Sequence, residues 1–315
     1  MPKHNAANER IKRDYFEYLR EAKRLSTPSI DAVAKAISRF EEGTNWKDFR
    51  TFHIKQAVAF KTRLGQQVSQ RTGDPLSRST LYSTLQALWS FIIWLADRPG
   101  FKSRIRYSDA DYFNLSDKEA RIAKAPREKA FPTLEQIHHV LAAMPTGTDI
   151  ERRNRALVAF ATLTDARDGA LASFRLKHVD LEGASVLQDA QEVRTKFSKT
   201  FRTWFYPVGG EALEIVRDWV SHLRETLLWC DGDPLFPSTR IEVGATRLFK
   251  AAGLDRRCWS SAAPVRRIFR SSFERAGLPY FHPHSFRDTL AQLGERICTT
   301  EQYKAWSLTW GTRSR

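Results

Sequence analysis

In the first 96 positions, apolar residues recur at helical spacing in four runs separated by polar breaks. That pattern restricts the opening third of the chain to a small helical bundle. The first run, about Asn8 to Arg24, puts Ile11, Tyr15, Leu19 and Ala22 on one stripe. Ser26, Thr27 and Pro28 break it, and Ser29 can cap a second helix through Phe40. A third spans roughly His53 to Val68, with Ile54, Ala57, Val58, Phe60 and Leu64 inward and Lys55, Lys61 and Arg63 outward. Gly73-Asp74-Pro75 ends that region. Ser77-Arg78-Ser79-Thr80 then opens the longest helix, through Leu95.

Residues 99–130 change character: Pro99-Gly100, a basic run of Lys102, Arg104 and Arg106, a short helix near Asn114 to Ala123, then further Pro and charge. Such composition predicts an exposed linker, dividing a helical domain over 1–98 from a second domain over 131–315. In the second domain Thr133, with Gln136 three residues on, predicts a capping box for a helix through Met144. Another helix follows from Glu151 to Leu163. Beyond Asp180 the sequence turns β-like at Ala184–Leu187, Glu192–Arg194 and Phe201–Val208, a small sheet. Helices return at about Gly210–Leu228, Pro264–Ala276 and Ser285–Ile297. The fold class expected is mainly α with a small antiparallel β-sheet: a four-helix domain followed by an α+β domain.

Charge narrows the partner. Lys and Arg number 51 against 36 Asp and Glu, a net of +15, which favours a polyanion, nucleic acid first and anionic membrane second. Residues 1–130 carry a net of +10 and the remainder +5, so the amino-terminal part is the stronger electrostatic grip. No apolar run approaches the ~20 residues a bilayer requires, and the first residues lack a signal peptide's apolar segment. Those features remove the membrane reading. Cys230, Cys258 and Cys298 are odd in number and lack metal-ligand spacing, so no disulfide framework or metal site is expected and a cytoplasmic location fits.

Three stretches carry chemistry. His284 and Arg287, three apart, can bring an imidazole and a guanidinium to one anionic oxygen. Arg167, in Leu163-Thr-Asp-Ala-Arg-Asp-Gly, follows a helix, and Lys196 and Lys199 lie in a basic hairpin. Ser77, Ser79 and Thr80 at a helix start, with Arg78 beside them, suit a DNA backbone contact, and Lys55, Lys61 and Arg63 suit a basic face. The aromatic run Trp204-Phe205-Tyr206 reads as sheet packing and His282 as a loop residue.

Arg167, the Lys196 hairpin and His284-x-x-Arg287, in that order behind a basic helical domain, resemble the tyrosine recombinase or phage integrase family. The resemblance covers nearly the whole chain. It implies a core-binding domain over 1–98 and a catalytic domain over 131–315, together clamping duplex DNA. The two arginines and His284 would stabilise charge on the scissile phosphate, and Lys196, with Lys199 as the fallback, would protonate the leaving 5′-oxygen. It implies a covalent 3′-phosphotyrosyl intermediate with no cofactor and no metal, and a homo-oligomeric, tetrameric synapse.

Departures are local. Asp165 stands where the family has Gly, Ala170 where it has an acid, and Asp288 where His is common. The family's Leu-Gly-His segment and following nucleophilic Tyr are not found; the one Tyr after Arg287 is Tyr303, in an apolar helical position expected to pack, so no nucleophile is assigned. Shifting the reading frame by one base across Trp310-Gly311-Thr312-Arg313 permits Leu-Gly-His-Glu. The expectation is therefore a chain truncated by a frameshift near Leu308 to Trp310 and deficient in cleavage. The functional expectation is a site-specific recombinase or integrase acting on double-stranded DNA; the alternative is a non-enzymatic binder of recombination sites that competes with a full-length relative or takes its Tyr in trans. A helical RNA-binding protein ranks below both.

Overall fold

Three long helices of the amino-terminal part begin where a side chain accepts an orphan backbone N–H, and another carries a proline in its first turn. Asn5 Oδ1 accepts from Ala7 and Asn8 to start α1 (Ala6–Glu21). Pro28 sits in the first turn of α2 (Thr27–Gly43). His53 Nδ1 accepts from Lys55 at the head of α3 (Ile54–Gln66), and Ser77 Oγ accepts from Thr80 at the head of α4 (Arg78–Ala96). The computed structural model describes residues 4–69, 73–125, 129–195, 198–243 and 248–308. Contacts divide the chain into two units, Met1–Glu128 and Lys129–Arg315.

The first unit closes around an aromatic centre. Phe40, Phe49, Phe60 and Phe91 are buried together with Ile37, Leu64, Leu85, Leu88 and Leu95. A polar knot is buried as well: Asn8 Nδ2 donates to Glu41 Oε1 at 3.1 Å and to the Lys47 carbonyl, while Asn8 Oδ1 accepts from Phe49 N–H. Lys12 Nζ reaches the same Glu41 at 2.7 Å. These bonds tie α1, α2 and the turn after them into one piece.

The stretch expected as an exposed linker does not behave as one over most of its length. Phe101, Ile105, Ala110 and Phe113 are buried in the same core, and the Phe113 ring packs edge-on against Phe40 at 5.6 Å. A 3-10 helix spans Tyr107–Phe113 and α5 spans Asp117–Lys124. The reason is spacing: the few apolar residues fall four, five and three apart, on one side of tight turns, so Lys102, Arg104 and Arg106 can face water while the unit gains a side to its core. Val58, expected inward, is 45% exposed.

The second unit is built on a nearly enclosed helix. Thr133 and Gln136 form the expected capping box at the head of α6 (Leu134–Ala143). Thr148 and Glu151 form another for α7 (Asp149–Thr164), which is buried continuously from Ala156 to Thr164. After α8 (Asp168–Leu171), strands β1 (Val179–Asp180), β2 (Ser185–Gln188) and β3 (Phe201–Trp204) pair antiparallel in that order, with Val186 opposite both Val179 and Thr203. Residues 192–194, expected as a strand, form a turn and loop whose Val193 is buried. Phe205 and Tyr206 pack inward, against Phe160 and Trp306, whereas Trp204 is 56% exposed.

Helix α9 (Gly210–Ser221) runs on into one π-helical turn, His222–Thr226. A hairpin of β4 (Ser238–Val243) and β5 (Phe249–Asp255) follows, which the sequence reading did not foresee. Helices α10 (Ala263–Arg275), α11 (Phe286–Ile297) and α12 (Thr300–Leu308) complete the unit. The chain is thus mainly helical with small antiparallel sheets. Among the described residues no helix is long and apolar enough to cross a membrane.

Candidate phosphate-binding site

The carboxyl end of α7 delivers the first functional side chain. Asp165 ends that helix in a left-handed conformation, φ 50° and ψ 26°, with its N–H on the Ala161 carbonyl. Thr164 Oγ1 accepts from Ala166 N–H at 3.3 Å and braces the turn. Arg167 comes next, at the start of α8, half-buried. From the other side, Pro283–Ser285 forms a 3-10 turn leading directly into α11. Ser285 Oγ donates to the His282 carbonyl at 2.7 Å, and Phe286 packs between Phe269 and Phe273. The Thr289 hydroxyl bonds the Pro132 carbonyl, so this turn is held by its own helix and by the entrance to α6.

Between these two supports lies a pocket of about 500 Å³ lined by Arg167, Asp168, Arg266, His282, Pro283, His284 and Arg287. The structure therefore brings together Arg167, His284 and Arg287, three of the residues singled out in the sequence. His282, read as a loop residue, forms part of the wall, its ring nearly parallel to that of His284 with centroids 6.2 Å apart. Arg266 was missed by the sequence reading; its Nε donates to Asp168 Oδ2 at 2.6 Å. Nothing in the local sequence of α10 distinguishes Arg266 from its neighbours, because its partner is 98 residues away.

The charges crowd one another. Burial and the adjacent Arg287 both push the Arg167 guanidinium down, partly offset by Asp165. Burial, then Arg287 and Arg167, push His284 below the usual imidazole value, which leaves it a neutral donor or acceptor near pH 7. Two cations held this close in a half-buried pocket favour an anion between them. Arg287 also donates Nε–H to Asp165 Oδ2 at 2.6 Å, and the Asp165 side chain is only 3% exposed. Burial pushes that carboxyl up to about 6 despite the attraction of Arg287 and Arg167.

Lys196 lies outside the described residues. Lys199 is exposed and does not line the pocket. The base of its hairpin is fixed by Arg194, whose Nη2 donates to the carbonyl of Ala172 at 3.0 Å and whose Nη1 donates to that of Ser260 at 2.6 Å. In the first unit Lys55, Arg78 and Ser79 are exposed. Lys61 instead donates to the Asn114 carbonyl at 2.8 Å, and Arg63 donates to the Gly43 carbonyl while lying over the Phe60 ring. Ser77 and Thr80 are already joined, Oγ to Oγ1 at 2.8 Å, so the head of α4 is partly satisfied by its own cap. Tyr303, on α12, lies against Gly294, where an added methyl group would meet its ring at 3.1 Å. Burial and Glu295 hold its hydroxyl protonated.

No family model matches the chain. In sequence it is 24% identical over 288 residues to a tyrosine recombinase XerC of Stutzerimonas stutzeri, covering 88% of this chain and 79% of that protein. It is 26% identical over 223 residues to a tyrosine recombinase XerC of Lactobacillus delbrueckii, covering 70% and 64%. In structure it superposes on a lambda integrase dimer bound to a COC′ core site with a TM-score of 0.59 at 15% identity, covering 97% of this chain and 95% of that one. The chain is related to the tyrosine recombinases in sequence and shares their fold.

The Tn1549 transposon integrase in complex with circular intermediate DNA also superposes, with a TM-score of 0.54 at 11% identity over 97% of this chain. The tyrosine recombinase likeness thus takes in both units, the helical one as well as the one holding the pocket. Residues 309–315, on which the reading-frame expectation falls, lie outside the described residues.

Proposed function

We propose that this chain binds double-stranded DNA and grips one backbone phosphate in the pocket of Arg167, His284 and Arg287, as a site-specific recombinase or integrase grips the phosphate it acts on. The observation that carries the reading is the convergence of two arginines and a histidine, 120 and 3 residues apart in the chain, on one pocket. Two guanidiniums supply paired N–H groups to the non-bridging oxygens, where charge accumulates under in-line attack. A neutral His284 adds one further hydrogen bond. Relatives by sequence are named tyrosine recombinases, and the structural neighbours include integrases bound to DNA, among them a dimer on a core site and a tetramer on a Holliday junction. An assembly of several copies on DNA is the corresponding proposal here, with the first unit as a core-binding domain and Lys55, Arg78 and Ser79 as its backbone contacts. Lys196 or Lys199 would serve as the amine that protonates a leaving oxygen.

Grip without cutting is the second part of the proposal. Tyr303, on α12, has its ring on Gly294 and its hydroxyl under the influence of Glu295, and it does not line the pocket. The alternative function that follows is occupancy of recombination sites by a binder that does not cleave.

A gel shift on duplex DNA, paired with covalent trapping on a nicked suicide duplex, tests both parts. The reading expects a shift that weakens at least tenfold in Arg167→Gln and Arg287→Gln, falls steeply with salt, and leaves no covalent adduct. Equal binding by both variants would remove the phosphate pocket; an adduct abolished by Tyr303→Phe would remove the non-cleaving reading.

A further inference from the structure

Asp165 is poorly explained by a role in folding. It occupies a left-handed position, φ 50°, where a side chain is tolerated at a cost that glycine avoids. Its carboxylate is nearly sealed from water, and such burial of a charge is unfavourable unless a partner compensates. A glycine would suit the backbone better, and it would leave no carboxylate to desolvate. Yet the buried oxygen meets a well-formed partner, the Nε–H of Arg287, at 2.6 Å.

We infer that Asp165 is a positioning residue, whose carboxylate fixes the Arg287 guanidinium in the pocket by accepting its Nε–H across the turn that also presents Arg167. The geometry supports this in two ways. The bond comes from the inner edge of the guanidinium, so it constrains the plane of a group that itself lines the pocket. The turn bearing Asp165 is the one whose next residue but one is Arg167, so one backbone segment sets both arginines. The two nearby carboxylates divide the cations between them: Asp165 takes Arg287, and Asp168 takes Arg266. Position 170, three residues past Arg167, is a buried alanine and supplies no such acceptor.

The inference rests on the phosphate reading of the pocket, and the experiment separates the two. Affinity for a fluorescein-labelled duplex is measured by anisotropy at fixed salt and pH 8 for the full chain and for Asp165→Gly, Asp165→Asn and Arg287→Gln, with melting temperature recorded for each. The expected order is wild type and Asp165→Asn within about threefold of each other, because asparagine keeps an oxygen acceptor and tolerates the left-handed turn. Asp165→Gly binds about tenfold more weakly while melting no lower than wild type. Tighter binding by both Asp165 variants would mean that the carboxylate merely screens the pocket, and would overturn the inference. Unchanged affinity with a lowered melting temperature in both would mark a structural ion pair, and would overturn it too. If Arg287→Gln binds as wild type does, the phosphate reading falls and takes the inference with it; if Arg287→Gln weakens binding and Asp165→Gly does not, the inference alone falls.

Discussion

Arg287 and Asp165 are 122 residues apart in the chain and share a 2.6 Å hydrogen bond, with Asp165 sealed beneath it. The bond joins the end of α7 to the start of α11, and the pocket lies where those two ends meet.

Because the folded-state carboxyl of Asp165 is pushed up to about 6, above the ordinary value of 3.8, its ionisation opposes folding. The sign follows: the cost is absent below pH 4, grows as pH rises, and is complete above about pH 7, where it amounts to roughly 3 kcal/mol. Asp165→Asn should therefore melt with wild type near pH 4 and several degrees above it at pH 8. Calorimetry across that range checks this; a variant that melts lower at pH 8 contradicts it.

His284 is held neutral by burial and by the two arginines. A bound phosphate favours the protonated ring, so DNA affinity should rise as the solution is made acidic. Substituting His284→Gln should remove part of that slope. Anisotropy titrations from pH 8 to 5.5 at constant ionic strength measure it, and identical slopes would exclude a contact between His284 and phosphate.

Phe113 is fully buried against Phe40 and Phe52. Phe113→Ala should destabilise the first unit by about 3–5 kcal/mol. Urea denaturation followed by tryptophan fluorescence reports this, and a loss below about 1 kcal/mol would return residues 101–113 to the status of a linker.

Arg194 holds the base of the lysine-bearing hairpin through carbonyls of Ala172, Trp259 and Ser260. Truncation in Arg194→Ala should cost about 1–3 kcal/mol, since each bond involves a charged donor, and should expose the hairpin to limited proteolysis before the rest of the second unit. Cleavage at an unchanged rate would show that the hairpin is held by other contacts.

Much of this was legible in the residues themselves. Thr133 with Gln136 announces the head of α6, and the apolar stripes of the first 96 residues announce α1 to α4, because caps and stripes depend on residues at most four apart. The order of Arg167, the lysine hairpin and His284-x-x-Arg287 pointed to the family for a similar reason: each motif is short and its order is fixed by the chain. What escaped has the opposite character. The burial of Phe101 to Phe113, the β4–β5 hairpin, the Asp168–Arg266 pair and the Asp165–Arg287 bond are each settled by a partner elsewhere in the chain. The amino-acid order by itself determined which segments coil and which cations were candidates for a phosphate. Tertiary structure alone decided which carboxylate holds which arginine, since a buried charge takes its partner from whatever the fold sets within hydrogen-bonding distance, however far away it stands in sequence.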